Sequence, residues 1–196
     1  QRDYGMRTAH YDFGSDPSNY PLTNEGERGE VLFYARPSTP RRGFELGVLA
    51  LELFHRDRPK VGINLVGQKL KGFTIPFPHS APGSLSLSEL AALYNRCRAG
   101  LVISLTNLSL LPLELLSAGV IPVLGDDENN RMVSDNPFIE YAELSPRALA
   151  DRLMAVVDRA DAIGHATLAS ASVGESSWSA SAEQFLAAFD RGVRGR

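Results

Sequence analysis

Glu114 is the only charged residue between Arg98 and Asp126. A lone carboxylate in so apolar a stretch needs a reason, and its neighbours offer two. Pro112 opens a short helix at a position where a missing N–H is harmless, and Gly119 closes it. In one reading Glu114 faces the positive end of that helix and accepts from free backbone N–H groups, a gain of about 0.3–1 kcal/mol. In the other, the helix starts at the carboxyl end of a parallel strand, where open α/β sheets bind ligands and helix starts attract phosphate. Glu114 then accepts hydrogen bonds from a ribose, beside a diphosphate held by the N–H groups around Leu111 and Leu113. The residues themselves leave both readings open.

A second group has chemistry that suits the same ligand. The segment ARPSTPRRG carries Arg36, Arg41 and Arg42 around the first strand–helix turn. A guanidinium fork matches phosphate oxygens and keeps its charge at every physiological pH. Arg41 reads as a solvated loop cation, and Arg36 with Arg42 as a diphosphate pair. Other chemistries lack their residues. There is no G-x-G-x-x-G, so nicotinamide and flavin are disfavoured, and no G-x-x-x-x-G-K-[ST] for a P-loop. His10, His55, His79 and His165 lie far apart, and neither H-E-x-x-H nor G-x-S-x-G occurs. Asp126, Asp127 and Glu128 read as capping or solvating the next helix, because a hard cation needs further oxygen ligands. No metal is expected.

These residues need elements to position them. Strands are predicted at 31–35 (VLFYA), 61–66, 101–105 and 120–124, with a last short one at 138–141 and an extended run at 73–77. Phe44 to Phe54 is apolar enough for a buried crossover helix that ends near Pro59. Ser86 and Glu89 have capping-box spacing, and Leu87, Leu90, Tyr94 and Cys97 then share one helical face. Cys97 reads as a small buried hydrophobe. Residues 80–85 read as a loop. Ser145 and Pro146 start a helix with Leu149, Leu153, Val156 and Ala160 inward. Weaker helices are expected over 163–172 and 179–193, the last with Ala182, Phe185, Leu186 and Phe189 on one side and Trp178 stapling its start. Alternation of strand and helix implies a single Rossmann-like, doubly wound parallel α/β sheet with C-terminal helices.

Composition sets the outer bounds. The chain has 196 residues, 43% of them hydrophobic and 22% charged, which fits one domain with a full core. A net charge of −3 gives no reason to expect nucleic acid. No apolar run approaches the roughly 20 residues of a membrane span, and no signal peptide opens the chain. A single cysteine rules out an internal disulfide, and a reduced, cytoplasmic setting is expected. Residues 1–29 are rich in turn formers and read as an extended arm that packs at Tyr11, Phe13 and Tyr20; residues 30–196 form the domain. The start at Gln1 suggests a piece of a longer protein.

The segments VLFYARPSTPRRGFELG, VGQK, LSELAALYNRCRAGLVISLT and PLELLSAGVIPVLGDD together resemble the C-terminal, donor-binding half of a GT-B glycosyltransferase. The version with F-Y-A-R-P, P-R, F-E-L-G and P-L-E is similar to the bacterial surface-polysaccharide (S-layer glycan) rhamnosyltransferases, over roughly residues 10–190. The resemblance implies that Arg36 and Arg42 hold the donor diphosphate and that Glu114 bonds the ribose. In related enzymes two glutamates stand eight positions apart. Glu114 matches the second, while Thr106 occupies the place of the first, a glutamate that the rhamnosyltransferase-like branch lacks too. It also implies a dTDP-rhamnose-type donor, no cofactor, a glycan acceptor, and an N-terminal acceptor-binding domain of the same protein, with residues 1–29 the linker from it. Membrane association would come through that remainder. The alternative is a non-catalytic nucleotide- or protein-binding module of the same architecture. A sugar-nucleotide epimerase would need acid and base residues that the sequence does not offer.

Overall fold

Six parallel strands lie in the order β3-β2-β1-β4-β5-β6 in the computed structural model, which describes residues 9, 11–174 and 176–194. They are β1 (Glu30–Tyr34), β2 (Gly62–Val66), β3 (Ser80–Gly83), β4 (Cys97–Val102), β5 (Ile121–Gly125) and β6 (Glu140–Ala142). Strands β1, β4 and β5 are deeply buried, β5 at every position. Val31, Leu32 and Phe33 on β1 and Leu101 and Val102 on β4 are buried, as strands covered on both faces must be. Leu32 pairs with Asn64 on one side and Gly100 on the other.

The helices are α1 (Phe44–Asp57), α2 (Leu87–Tyr94), α3 (Leu111–Ser117), α4 (Glu128–Val133), α5 (Pro146–Val157), α6 (Ala162–Ala171) and α7 (Trp178–Arg194). From β1 the chain crosses to β2 in one direction, and from β4 to β5 in the other. Crossovers of one hand then put α1 and α3 on opposite faces. Accordingly α1 packs against α5, and α3 against α6. The reversal between β1 and β4 leaves a crevice beyond their carboxyl ends, the place where such sheets take ligands. Gly47 lets α1 approach β1 closely, because a Cβ there would stand 2.2 Å from the Phe33 ring.

Several elements depart from the sequence reading. The loop expected at 80–85 contains an edge strand, β3, and the run at 73–77 is coil. Cys97 is buried as expected but opens β4, since α2 stops at Tyr94 and only two residues intervene. Leu87, expected on the inner helical face, is exposed. The acidic loop runs straight into α4, with Asp127 as its N-cap accepting from Asn130 N–H at 2.9 Å. Trp178 does not precede α7 as expected but begins it, and is 54% exposed; Phe185, Leu186 and Phe189 are exposed with it. The α2 capping box and the Ser145 cap of α5 form as expected.

Of the arm, residues 1–8 and 10, His10 among them, lie outside the described residues. The described part has one 3-10 turn, Pro17–Asn19, touches α7 through Tyr11 against Phe185, and pairs with the residue just before α7 through the Ser15–Ser177 bridge. Among the described residues, no helix is long and apolar enough to cross a membrane.

Candidate functional site

The turn after β1 is built to present its arginines. Thr39 N–H bonds back to the Arg36 carbonyl at 2.9 Å, and Pro40–Arg42 form a 3-10 turn. Gly43 then turns the chain into α1 at φ 55°, a left-handed conformation that glycine adopts without the Cβ penalty. A Cβ there would also meet Ile103 Cγ2 at 2.5 Å, just beyond the end of β4. Arg42 is thereby folded inward to 8% exposure while Arg36 stays exposed, its guanidinium 5.9 Å from the Tyr34 ring centre.

The burial of Arg42 is uncompensated. Its Nη1 is buried and has no hydrogen-bond partner among the described residues. Burial lowers its pKa, the like charges of Arg41 and Arg36 lower it further, and Tyr34 acts the other way. A buried cation without a counter-ion is expensive unless something else supplies the negative charge. Arg41, by contrast, donates to Asn107 Oδ1 at 3.1 Å on the surface, as its reading as a loop cation expects.

Across the crevice stands the start of α3. Leu110 occupies the N-cap position without a side-chain cap bond, and Glu114 sits one residue past the third helical position, so it cannot close a capping box. Its carboxylate accepts no hydrogen bond from any described residue. Burial alone pushes its pKa up, with no lowering from a backbone donor. The capping reading is therefore not what the side chain does. Leu111 N–H makes only a long bond, 3.4 Å, to Ser109 Oγ.

Arg36, Arg42, Leu111 and Glu114 line one cleft of about 390 Å³. Two cations and one carboxylate face it, and none is paired with another. Leu113 is not among its walls. It faces a separate cavity of about 360 Å³ on the other side of the α3 start, which Ser109 and Leu110 also border. Tyr20, Tyr34 and Tyr94 complete the cleft, and the sequence reading gave none of them a ligand role. A signal existed for Tyr34: it stands two residues before Arg36, and strand alternation puts both on one side.

The acidic run does structural work. Asp126 pairs with Arg131, with one hydrogen bond at 2.9 Å, and Asp127 caps α4. No group of three or more His, Cys, Asp or Glu side chains gathers among the described residues.

A family model described as WsaF, C-terminal domain, matches residues 29–154. The O-antigen biosynthesis protein RfbC of Myxococcus xanthus is 29% identical over 191 residues, covering 93% of this chain and 15% of its own length. Among solved structures, the C-terminal domain of the glycosyl transferase group 1 family protein LpcC from Francisella tularensis superposes with a TM-score of 0.67 at 13% identity. That match covers 83% of this chain and 97% of that one. HepE (Alr3699) of Anabaena, solved in complex with UDP and glucose, gives 0.65 at 15% identity, covering 84% of this chain and 51% of that one. The chain thus spans a small part of RfbC and about half of HepE. Its fold is the Rossmann-like fold of a glycosyltransferase C-terminal domain.

Proposed function

Because the chain belongs to the family of WsaF C-terminal domains, we propose that it is the donor-binding half of a GT-B glycosyltransferase, in which Arg36 and Arg42 hold the diphosphate of a nucleotide sugar and Glu114 accepts from its ribose. One observation carries the reading: Arg42, whose buried Nη1 has no partner among the described residues, lines the same cleft as the half-buried Glu114 carboxylate, which accepts from none of them either. A diphosphate supplies the charge that Arg42 lacks, and a ribose hydroxyl supplies the donor that Glu114 lacks. That the solved HepE complex holds UDP and glucose supports a nucleotide donor.

In transfer, negative charge grows on the departing diphosphate as the glycosidic bond breaks. The guanidinium groups of buried Arg42 and exposed Arg36 stabilise that charge, Arg42 with the less reorganisation because the fold already holds it in place. Backbone N–H groups at Leu111 and Leu113 add to it only if the phosphate reaches across the α3 start. The donor sugar is proposed to be rhamnose on dTDP, on the strength of the sequence resemblance, and the acceptor a growing surface polysaccharide, as the name of RfbC suggests. The acceptor and any membrane attachment belong in this reading to an N-terminal domain of the same protein.

A thermal-shift panel tests the reading. dTDP, UDP and their sugars should raise the melting temperature, and thymidine or uridine alone should not. No response to any nucleoside diphosphate would refute it and favour a protein-binding module.

A further inference from the structure

Tyr20 comes from the irregular arm, yet it is only 7% exposed and its ring centre lies 5.4 Å from that of Tyr94. The bridge from Ser15 to Ser177 holds the chain some way before it, and Asn95, at the end of α2, holds the residues just after it. Its Oδ1 accepts from Thr23 N–H at 2.8 Å and Asn24 N–H at 3.0 Å, and its Nδ2 donates to the Pro21 carbonyl at 2.9 Å. Asn24 Nδ2 donates in return to the Asn95 carbonyl at 2.8 Å. Asn95 is 6% exposed, so these bonds are shielded from water and their loss would strand buried polar groups.

What the fastening delivers is a wall of the cleft that also holds Arg42 and Glu114. The Tyr20 and Tyr94 hydroxyls bond to no described residue. Burial first, and then the nearby Glu114 carboxylate, push the Tyr20 pKa up to about 12, so its hydroxyl stays a donor throughout the physiological range. An ionised Glu114 can only accept. A donor and an acceptor lining one cleft, neither satisfied by a described residue, complement an alcohol that accepts from one and donates to the other. Packing against Tyr94 would need only a phenyl ring; the hydroxyl needs another reason.

We propose that Tyr20 is a binding residue for the nucleoside part of the donor, its hydroxyl donating a hydrogen bond to a ribose hydroxyl that in turn donates one to Glu114, and that Asn95 is the positioning residue that holds it there. The inference rests on the nucleotide-sugar reading above.

The test is calorimetric titration of the 196-residue chain with dTDP, UDP and inorganic diphosphate. Tyr20→Phe keeps the ring on Tyr94 and removes only the donor. It should weaken dTDP and UDP roughly three- to tenfold, the range of one neutral hydrogen bond, and leave inorganic diphosphate within about twofold. In an Asn95→Ala background, Tyr20→Phe should cost nothing further. If Asn95→Ala does not fold, the single Tyr20→Phe comparison still decides. Unchanged dTDP and UDP affinity in Tyr20→Phe, or an equal loss for inorganic diphosphate, overturns the proposal alone. Wild-type protein that binds no nucleotide overturns the reading beneath it as well.

Discussion

Replacing Glu114 by Gln separates a helix cap from a ligand acceptor, because the two roles move stability in opposite directions. The carboxylate has no hydrogen-bond partner among the described residues, and burial raises its pKa. A raised carboxyl pKa means that the folded state holds its proton more tightly than the unfolded chain does. This group's contribution to stability is therefore present at pH values below its unfolded pKa and is lost as pH rises through the folded one. At pH 7 ionised Glu114 is a burden on the ligand-free fold, and Glu114→Gln should raise the melting temperature or leave it level. The difference from wild type should vanish on acidification to about pH 4, near the ordinary Glu value. Binding should go the other way. The amide keeps one acceptor and turns a donor toward the ribose, losing a charge-assisted hydrogen bond worth about 1.5–3 kcal/mol. At about 1.4 kcal/mol per decade, dTDP or UDP affinity falls roughly ten- to 150-fold. Differential scanning fluorimetry across pH, with titration calorimetry at pH 7, reads both. A lowered melting temperature with unchanged affinity would return Glu114 to the helix and refute the argument.

Three further outcomes follow from the same geometry. Arg42→Ala should weaken nucleoside diphosphates by about 1.5–3 kcal/mol and leave free nucleosides unaffected in calorimetry, since only the phosphate contact is removed. Gly43→Ala puts a Cβ 2.5 Å from Ile103 Cγ2 at a φ of 55°. It should lose at least about 1–2 kcal/mol in urea unfolding, the penalty of the left-handed conformation alone. Burial raises the Cys97 thiol pKa well above its ordinary value, and the residue is fully buried in β4. Iodoacetamide should label it only after denaturation, and labelling of native protein at the rate of a free thiol would contradict its placement.

The chemistry of the cleft was legible where residue type and an element end coincide. Arg36 and Arg42 follow an apolar strand directly, and Glu114 breaks an otherwise uncharged run, so neither could pass unnoticed. Tyr20 and Tyr94 could, because an aromatic on an apolar stripe looks the same whether its hydroxyl meets solvent, protein or ligand. The edge strand β3 was hidden for another reason. Its sequence, SAPG, has neither alternation nor β-branched residues, and its pairing with β2 makes it a strand. Cys97 continued the helical spacing of Leu90 and Tyr94 only because two residues separate the end of α2 from the start of β4. On α7 the stripe of Phe185, Leu186 and Phe189 was readable, but periodicity identifies a face and not what covers it.

The central claim is that one cleft binds a nucleoside diphosphate between Arg42 and Glu114. A crystal structure of the chain with dTDP tests it most directly. The account predicts a phosphate oxygen within hydrogen-bond distance of the Arg42 Nη1 that now has no partner, and a ribose hydroxyl on the Glu114 carboxylate. A nucleotide bound elsewhere on the sheet edge, with Arg42 Nη1 still unpartnered, would contradict it.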